Sequence, residues 1–72
     1  MKYINHETIG LILFPQTSQH NNVAQNVGGK ILSAGFIDMK DMVCYGESVS
    51  LGLHSCVEDT KLLKCYFAMS GG

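Results

Sequence analysis

The 72 residues of this chain form at most one small domain, because a chain of this length buries only about 60% of the surface that it exposes when unfolded. Hydrophobic residues make up 46% of the chain and charged residues only 15%, so apolar side chains must remain on the surface of the folded monomer. We therefore expect the chain to associate with itself as a homodimer or higher oligomer.

The basic residues are too few and too scattered for a nucleic-acid-binding surface. All five are lysines: Lys2, Lys30, Lys40, Lys61 and Lys64. Without arginine the chain lacks the bidentate donor that pairs with phosphate or guanine. A nucleic-acid-binding protein also usually gathers its cationic side chains on one face. The composition therefore argues against nucleic acid as a partner.

The longest apolar stretch, residues 9–14, is much shorter than the roughly 20 residues that a membrane-spanning helix needs. The N-terminus lacks the basic and then apolar segments of a signal peptide. We therefore expect a cytoplasmic protein without a membrane partner. The odd number of cysteines, which are Cys44, Cys56 and Cys65, favours reduced thiols in that compartment over disulfide bonds.

The N-terminal half of the chain predicts strands followed by one helix. Residues 2–5 are a possible short strand, and residues 8–14 are a strong one, rich in β-branched and aliphatic side chains. Ser18 is a suitable N-cap for the helix that follows. The helix is indicated by an apolar stripe that consists of His20, Val23, Ala24 and Val27. Gly28 or Gly29 then supplies a left-handed C-cap.

The C-terminal half predicts a hairpin, a further strand and a second helix. Residues 30–38 and 42–45 are extended and are joined by a turn, so they form an antiparallel hairpin. Residues 49–53 alternate apolar and polar side chains, as the continuation of a bent strand or as a separate short one. Ser55 and Glu58 form a capping box at the start of the last helix. The predicted apolar stripe of this helix consists of Leu62, Leu63, Tyr66 and Met69.

This order of elements (β-α-β-β-α) predicts an α+β fold. We expect a two-layer sandwich in which a mixed or antiparallel sheet of about three to four strands carries both helices on one face. Residues 9–14 are apolar on both sides, which fits a strand that is covered on both faces or one that meets another subunit on one face. With both helices on one face, the uncovered face is the predicted dimer surface.

Four side chains in the C-terminal half are potential ligands of a structural zinc ion. They are Cys44, His54, Cys56 and Cys65. The spacing argues against this site, because it contains no Cys-x-x-Cys pair and because nine residues on a helix separate Cys56 and Cys65 by about 180°. We therefore predict no metal and no other cofactor, with the cysteines packed as small hydrophobic residues.

Cys56 is the strongest candidate for a reactive group. It lies in the first turn of the last predicted helix, where the helix dipole favours the thiolate, and His54 precedes it by two residues as a candidate base. His6 and His20 are other candidate bases. These residues would suit a thiol-dependent enzyme or a redox sensor, but the sequence identifies no partner that would orient the histidine. We therefore expect no catalytic activity.

The chain ends with Gly71 and Gly72. In its length and in this ending it resembles sulfur carriers and ubiquitin-like modifiers, whose flexible glycine tail enters an activating enzyme and is thiocarboxylated or conjugated. The resemblance implies a β-grasp fold, and the strands and helix predicted in the N-terminal half match the opening of that fold. The β-grasp ends on a strand that leads into the glycines, so a helix at residues 59–69 would contradict the carrier hypothesis.

A broader resemblance covers three segments: residues 28–38 (GGKILSAGFID), 43–53 (VCYGESVSLGL) and 55–63 (SCVEDTKLL). These segments look like small bacterial proteins without a known activity that are encoded on mobile elements, such as phages or integron gene cassettes. The resemblance implies no catalytic residue and favours an accessory or interaction protein. We predict a homo-oligomeric binding or interaction module; the alternatives are a Gly-Gly-tailed carrier and a thiol-dependent protein that uses Cys56.

Overall fold

The computed structural model describes the backbone of residues 1–70 and the side chains of residues 1–68. The strands of this part of the chain are β1 (Lys2–His6), β2 (Gly10–Phe14), β3 (Ile31–Asp38), β4 (Val43–Tyr45), β5 (Glu47–Ser48) and β6 (Leu53–His54). Its helices are α1 (His20–Val27) and α2 (Val57–Ser70). The predicted α+β content is thus confirmed. The side chain of Met69 and the Gly71-Gly72 ending lie outside the described residues.

Strands β1 to β4 form one antiparallel sheet in the order β2-β1-β3-β4. In the central strand β1, Ile4 is paired with Ile12 of β2 on one side and with Ala34 of β3 on the other. The predicted hairpin is confirmed, since β3 and β4 pair through Ile37 and Cys44. β2 and β4 are the two edges of this sheet.

The two helices lie on opposite faces of the sheet. Successive residues of a strand point to opposite faces. Tyr3 packs in one core cluster with Leu63 of α2, whereas Ile4 packs in a second cluster with Val23 and Ala24 of α1. The prediction that both helices share one face is therefore corrected.

The small hairpin of β5 and β6 completes the cover on the α1 side. It contributes Leu51 and Leu53 to the cluster around Ile4. Both faces of the sheet are therefore covered, which explains why strands such as β2 are apolar on both sides. In the described chain neither face of the sheet is left uncovered, so the dimer surface predicted from the sequence is not available.

Residues 49–53, predicted to form one strand, contain the turn of this hairpin. Gly52 has a φ of 67° and donates its N–H to the carbonyl oxygen of Ser48, and Ser48 pairs with Leu53 across the hairpin. Val49 lies on the turn and is 86% exposed. The alternation of apolar and polar residues therefore reflects a tight turn rather than an extended strand.

Helix α1 ends at a predicted glycine, although its ψ of −174° is not that of the left-handed helical conformation, and the helix begins one residue later than its predicted cap implies. Gly28 is the C-cap, with a φ of 66°, and it donates its N–H to the carbonyl oxygen of Ala24. The N-cap is Gln19, which makes no side-chain capping bond, and not Ser18. Neither helix of residues 1–70 is long and apolar enough to cross a membrane.

Helix α2 is rotated relative to its predicted apolar stripe. Leu63 is fully buried, but Leu62 and Tyr66 are 40% and 43% exposed. The side that faces the sheet carries Asp59, Leu63 and Phe67, which follow one another at intervals of four residues. The sequence pattern missed this side because a charged residue begins it.

Candidate functional site

A buried carboxylate joins the first turn of α2 to the centre of the sheet. Asp59 is only 1% exposed. Its Oδ2 accepts hydrogen bonds from Oη of Tyr3 and from the backbone N–H of Cys56 at 2.9 Å. Its Oδ1 accepts hydrogen bonds from Oγ of Ser33 at 2.9 Å and from Nδ2 of Asn5 at 3.4 Å. We name Tyr3, Asn5, Ser33 and Asp59 the Asp59 cluster.

Strands β1 and β3 place the three donor side chains on the face that α2 covers. Tyr3 and Asn5 are two residues apart on β1, and Asn5 pairs with Ser33 of β3, so all three point to one face. Tyr3 pairs with Gly35. A Cβ atom at Gly35 would lie 3.3 Å from Cε1 of Tyr3 and 2.5 Å from the carbonyl oxygen of Tyr45. A glycine at this position therefore lets the Tyr3 ring and β4 approach β3.

The hydrogen-bond pattern of Asp59 is that of an ionised carboxylate, because all four of its partners donate. All four partners are neutral groups, so hydrogen bonds stabilise the buried negative charge, together with the positive end of the helix dipole. Cys56 is the residue before α2, and the bond from its N–H to a side chain three residues on is half of a capping box. The predicted box of Ser55 and Glu58 is therefore displaced by one residue.

The same cluster changes the proton affinity of two neighbouring acidic groups. Burial raises the pKa of the Tyr3 hydroxyl, and its hydrogen bond to the negatively charged Asp59 raises it further. Burial, assisted by the charge of Asp59, raises the pKa of the Cys44 thiol from 9.0 to about 11. Both groups are therefore protonated at neutral pH, and neither serves there as a base or as a thiolate nucleophile.

We expect the folded chain to become less stable as the pH rises above about 9. Between 9.0 and about 11, the unfolded chain has released the Cys44 proton while the folded chain still holds it, so unfolding is favoured by rising pH. Tyr3 acts in the same direction at higher pH, because its pKa is also raised on folding. Urea denaturation at a series of pH values measures this effect.

Cys44→Ala is the matched variant for this pH dependence. It removes one of the two groups, so the free energy of unfolding should fall less steeply between about pH 9 and pH 10 than in the wild type. A wild-type free energy of unfolding that stays constant over this interval would contradict the raised pKa of Cys44.

The four potential zinc ligands do not form a metal site in the structure. Cys44 is buried and Cys56 is half-buried, and both line one surface groove. Cys65 is exposed on α2, and His54 is exposed in β6. Among the described residues, no group of three or more His, Cys, Asp or Glu side chains could hold a metal ion.

Backbone hydrogen bonds hold the two buried histidines that were considered as bases. Nδ1 of His6 accepts hydrogen bonds from the N–H groups of Thr8 and Ile9, at 3.0 and 3.1 Å. Nε2 of His6 therefore carries the proton and donates it to the carbonyl oxygen of Gly28 at 2.7 Å. His20 is also buried, and its Nε2 lies 2.9 Å from a backbone carbonyl oxygen of β3. Both rings thus connect elements of the fold.

The predicted proximity of Cys56 and His54 does not become a hydrogen-bonded pair. Nδ1 of His54 donates to the carbonyl oxygen of Ser55 at 2.9 Å. The N–H of Cys56 is bonded to Asp59, and no hydrogen bond in the described part of the chain joins the Cys56 thiol to His54. The structure therefore identifies no base beside this thiol.

A surface groove of about 500 Å³ lies between β4 and the first turns of α2. Its lining residues are Val43, Cys44, Ser55, Cys56, Val57, Thr60, Lys61 and Lys64. Because both oxygen atoms of Asp59 are engaged within the core, the polarity of the groove comes from hydroxyl groups, thiols and two lysines. Oγ1 of Thr60 accepts the backbone N–H of Cys44 at 3.1 Å and so ties α2 to β4.

We expect the three thiols to react with iodoacetamide in the order of their exposure. Cys65 is exposed and should react fastest, whereas Cys44 is buried with a raised pKa and should react slowest. Cys56, the strongest candidate for a reactive group in the sequence, is half-buried in the structure. Mass spectrometry after labelling at pH values from about 6 to 9 measures the order. Cys56 labelling that stays fast at the lowest pH would support thiol chemistry, and rapid Cys44 labelling would contradict the buried thiol.

Sequence reasoning missed the Asp59 cluster, because an acidic residue in the first turn of a helix is ordinarily explained by the helix dipole. Two signals were present. Asp59 precedes Leu63 by four residues and so shares its helix face, and Ser33 is a polar residue within the otherwise apolar stretch 31–37. Comparisons with protein-family models, curated proteins and solved structures found no match for this chain.

Proposed function

We propose that this chain is a small interaction module that acts as a homodimer or higher oligomer and has no catalytic activity of its own. The observation that carries the proposal is the exposure of large apolar side chains. Val49, Val57 and Ile9 are 86%, 79% and 60% exposed, and Leu32 and Tyr45 are about half exposed. Burial of such surface in an interface is favourable by about 25 cal/mol per Å².

The buried polar groups also support an interaction role, because they are engaged in hydrogen bonds within the fold or hold their protons at neutral pH. The rings of His6 and His20 and the carboxylate of Asp59 are all used to connect elements of the fold. Tyr3 and Cys44 hold their protons at neutral pH because their pKa values are raised. The free thiols fit a reducing compartment such as the cytoplasm.

The fold argues against the alternative of a Gly-Gly-tailed carrier. Helix α2 occupies residues 57–70, where a β-grasp fold has its last strand. The four-stranded sheet is also antiparallel at each of its pairings. The third hypothesis, a thiol-dependent enzyme or sensor, depends on Cys56, and the labelling experiment decides it.

We expect light scattering to give a mass of at least two chains at micromolar concentration. The monomer has a mass of 7.9 kDa. A dilution series distinguishes specific association from aggregation, because a specific oligomer dissociates in defined steps. A mass of one chain throughout the micromolar range would contradict the proposed function.

A further inference from the structure

The two edges of the four-stranded sheet differ in how they are protected. At the β4 edge, the outward N–H of Cys44 is bonded to Thr60 of α2. Charged residues flank this strand, with Lys40 and Asp41 before it and Glu47 after it. Such coverage and charge prevent the pairing of an edge with another chain.

The β2 edge has neither form of protection. From residue 8 to residue 29 the chain contains no Asp, Glu, Lys or Arg. β2 itself is the apolar sequence GLILF, and no strand of residues 1–70 pairs with its outer side. An uncharged and apolar edge of this kind is a template for a further strand.

The register of the sheet shows which backbone groups of β2 point outward. The N–H of Ile37 donates to the carbonyl oxygen of Met1 at 2.7 Å, so these two residues form a hydrogen-bonded pair between β3 and the start of β1. Hydrogen-bonded pairs alternate along antiparallel strands. Ile4 therefore directs its backbone groups to β2, where its partner is Ile12. The residues on either side of Ile12 point their N–H and C=O groups away from the sheet.

These outward-pointing residues are Leu11 and Leu13. No hydrogen bond of the described chain reaches the outer side of either residue. Residues 8–29 carry no charge, so a second β2 strand brings no like charge to this edge, and a two-fold axis at Ile12 pairs Leu11 of each copy with Leu13 of the other. A second copy of this chain is therefore a strand that this edge accepts.

We propose that β2 pairs antiparallel with β2 of a second copy about a two-fold axis at Ile12. This inference rests on the proposed oligomeric function and names its interface. Leu11 of each copy pairs with Leu13 of the other, and the two pairs together form about four backbone hydrogen bonds. The two Ile12 side chains lie directly opposite each other. The dimer joins two four-stranded sheets into one.

Charge substitutions at Ile12 test both the edge and its register. Ile12→Lys alone and Ile12→Glu alone place like charges opposite each other at the axis, so each variant should associate at least about tenfold more weakly than the wild type. An equimolar mixture of the two variants places opposite charges there and should restore the dimer. Sedimentation velocity of each variant and of the mixture measures these results.

Val49→Lys is the matched control. It adds the same charge at an apolar residue that is 86% exposed on the β5–β6 turn and lies outside the β2 edge, so it separates the β2 interface from association through the other exposed apolar side chains. Pairing through β2 predicts that this variant keeps the dimer. A wild type that is monomeric overturns both the proposed function and this interface. A wild-type dimer that survives in both Ile12 variants, or that is lost in Val49→Lys, overturns only the β2 interface. Failure of the mixture to restore the dimer, with both variants folded, overturns it as well.

Amide hydrogen exchange of the wild type provides a test that does not depend on the folding of any variant. Ile12 is partly buried against the second core cluster, so its substitution also weakens the monomer. In the dimer the N–H groups of Leu11 and Leu13 are hydrogen-bonded, and their exchange should slow at least tenfold from a concentration that gives monomers to one that gives dimers. Unchanged exchange at both residues, while the mass doubles, overturns the proposal.

Discussion

Replacement of Leu63 by alanine should lower the free energy of unfolding by about 2 to 5 kcal/mol. Leu63 is fully buried between α2 and the sheet, where it packs in one cluster with Tyr3, Leu11 and Ile37. The substitution removes apolar contacts and leaves a cavity that the surrounding strands fill only in part. Small domains are stable by only about 5 to 15 kcal/mol, so this loss is a large fraction of the total. Urea denaturation at neutral pH measures it.

Leu62→Ala is the control for this prediction, because it makes the same change one residue earlier on the same helix. Leu62 is 40% exposed, so the substitution should change the free energy of unfolding by about 0.5 kcal/mol or less. A larger loss from Leu62→Ala than from Leu63→Ala would show that the other side of α2 faces the sheet.

The order of the elements was predictable because local signals determine it. β-branched and aliphatic residues identify β2, and the turn after Asp38 identifies the hairpin of β3 and β4. In that turn, Oδ1 of Asp38 accepts the N–H groups of Lys40 and Asp41, which is the role of aspartate in such turns. Gly28 ends α1 through a positive φ. Each signal lies within a few residues of the structure that it predicts.

The layering of the helices was not predictable in the same way. A strand that is apolar on both sides is compatible with cover from two helices and with cover from one helix and one subunit. Which of these two kinds of cover occurs depends on how the chain connects distant elements, and no local sequence pattern indicates that. The buried side of α2 was also ambiguous, because both Leu62 and Leu63 fit an apolar stripe.

The Asp59 cluster was hidden from sequence reasoning because its members are far apart along the chain. Ser33 and Tyr3 lie 26 and 56 residues from Asp59. A first-turn aspartate is usually explained by the helix dipole alone. Only the orientation of α2, which Leu63 determines, shows that the carboxylate points into the core.

Replacement of Asp59 by alanine should destabilise the chain about as strongly as replacement of Leu63. The hydroxyl groups of Tyr3 and Ser33 would stay buried without their acceptor, and each such group costs about 1 to 3 kcal/mol, so we expect a loss of about 2 to 6 kcal/mol. The N–H of Cys56 also loses its partner. Urea denaturation at neutral pH measures the loss, and near-ultraviolet circular dichroism reports the surroundings of Tyr3.

Two further variants separate the buried cluster from a simple helix-dipole effect. Glu58→Ala removes an exposed acid from the same helical turn and should cost only about 0.3 to 1 kcal/mol. Tyr3→Phe removes one donor but leaves Asp59 with its other three, so its loss of about 1 to 3 kcal/mol should lie below that of Asp59→Ala. If Asp59→Ala were no more destabilising than Glu58→Ala, the buried carboxylate would not be what holds α2 against the sheet.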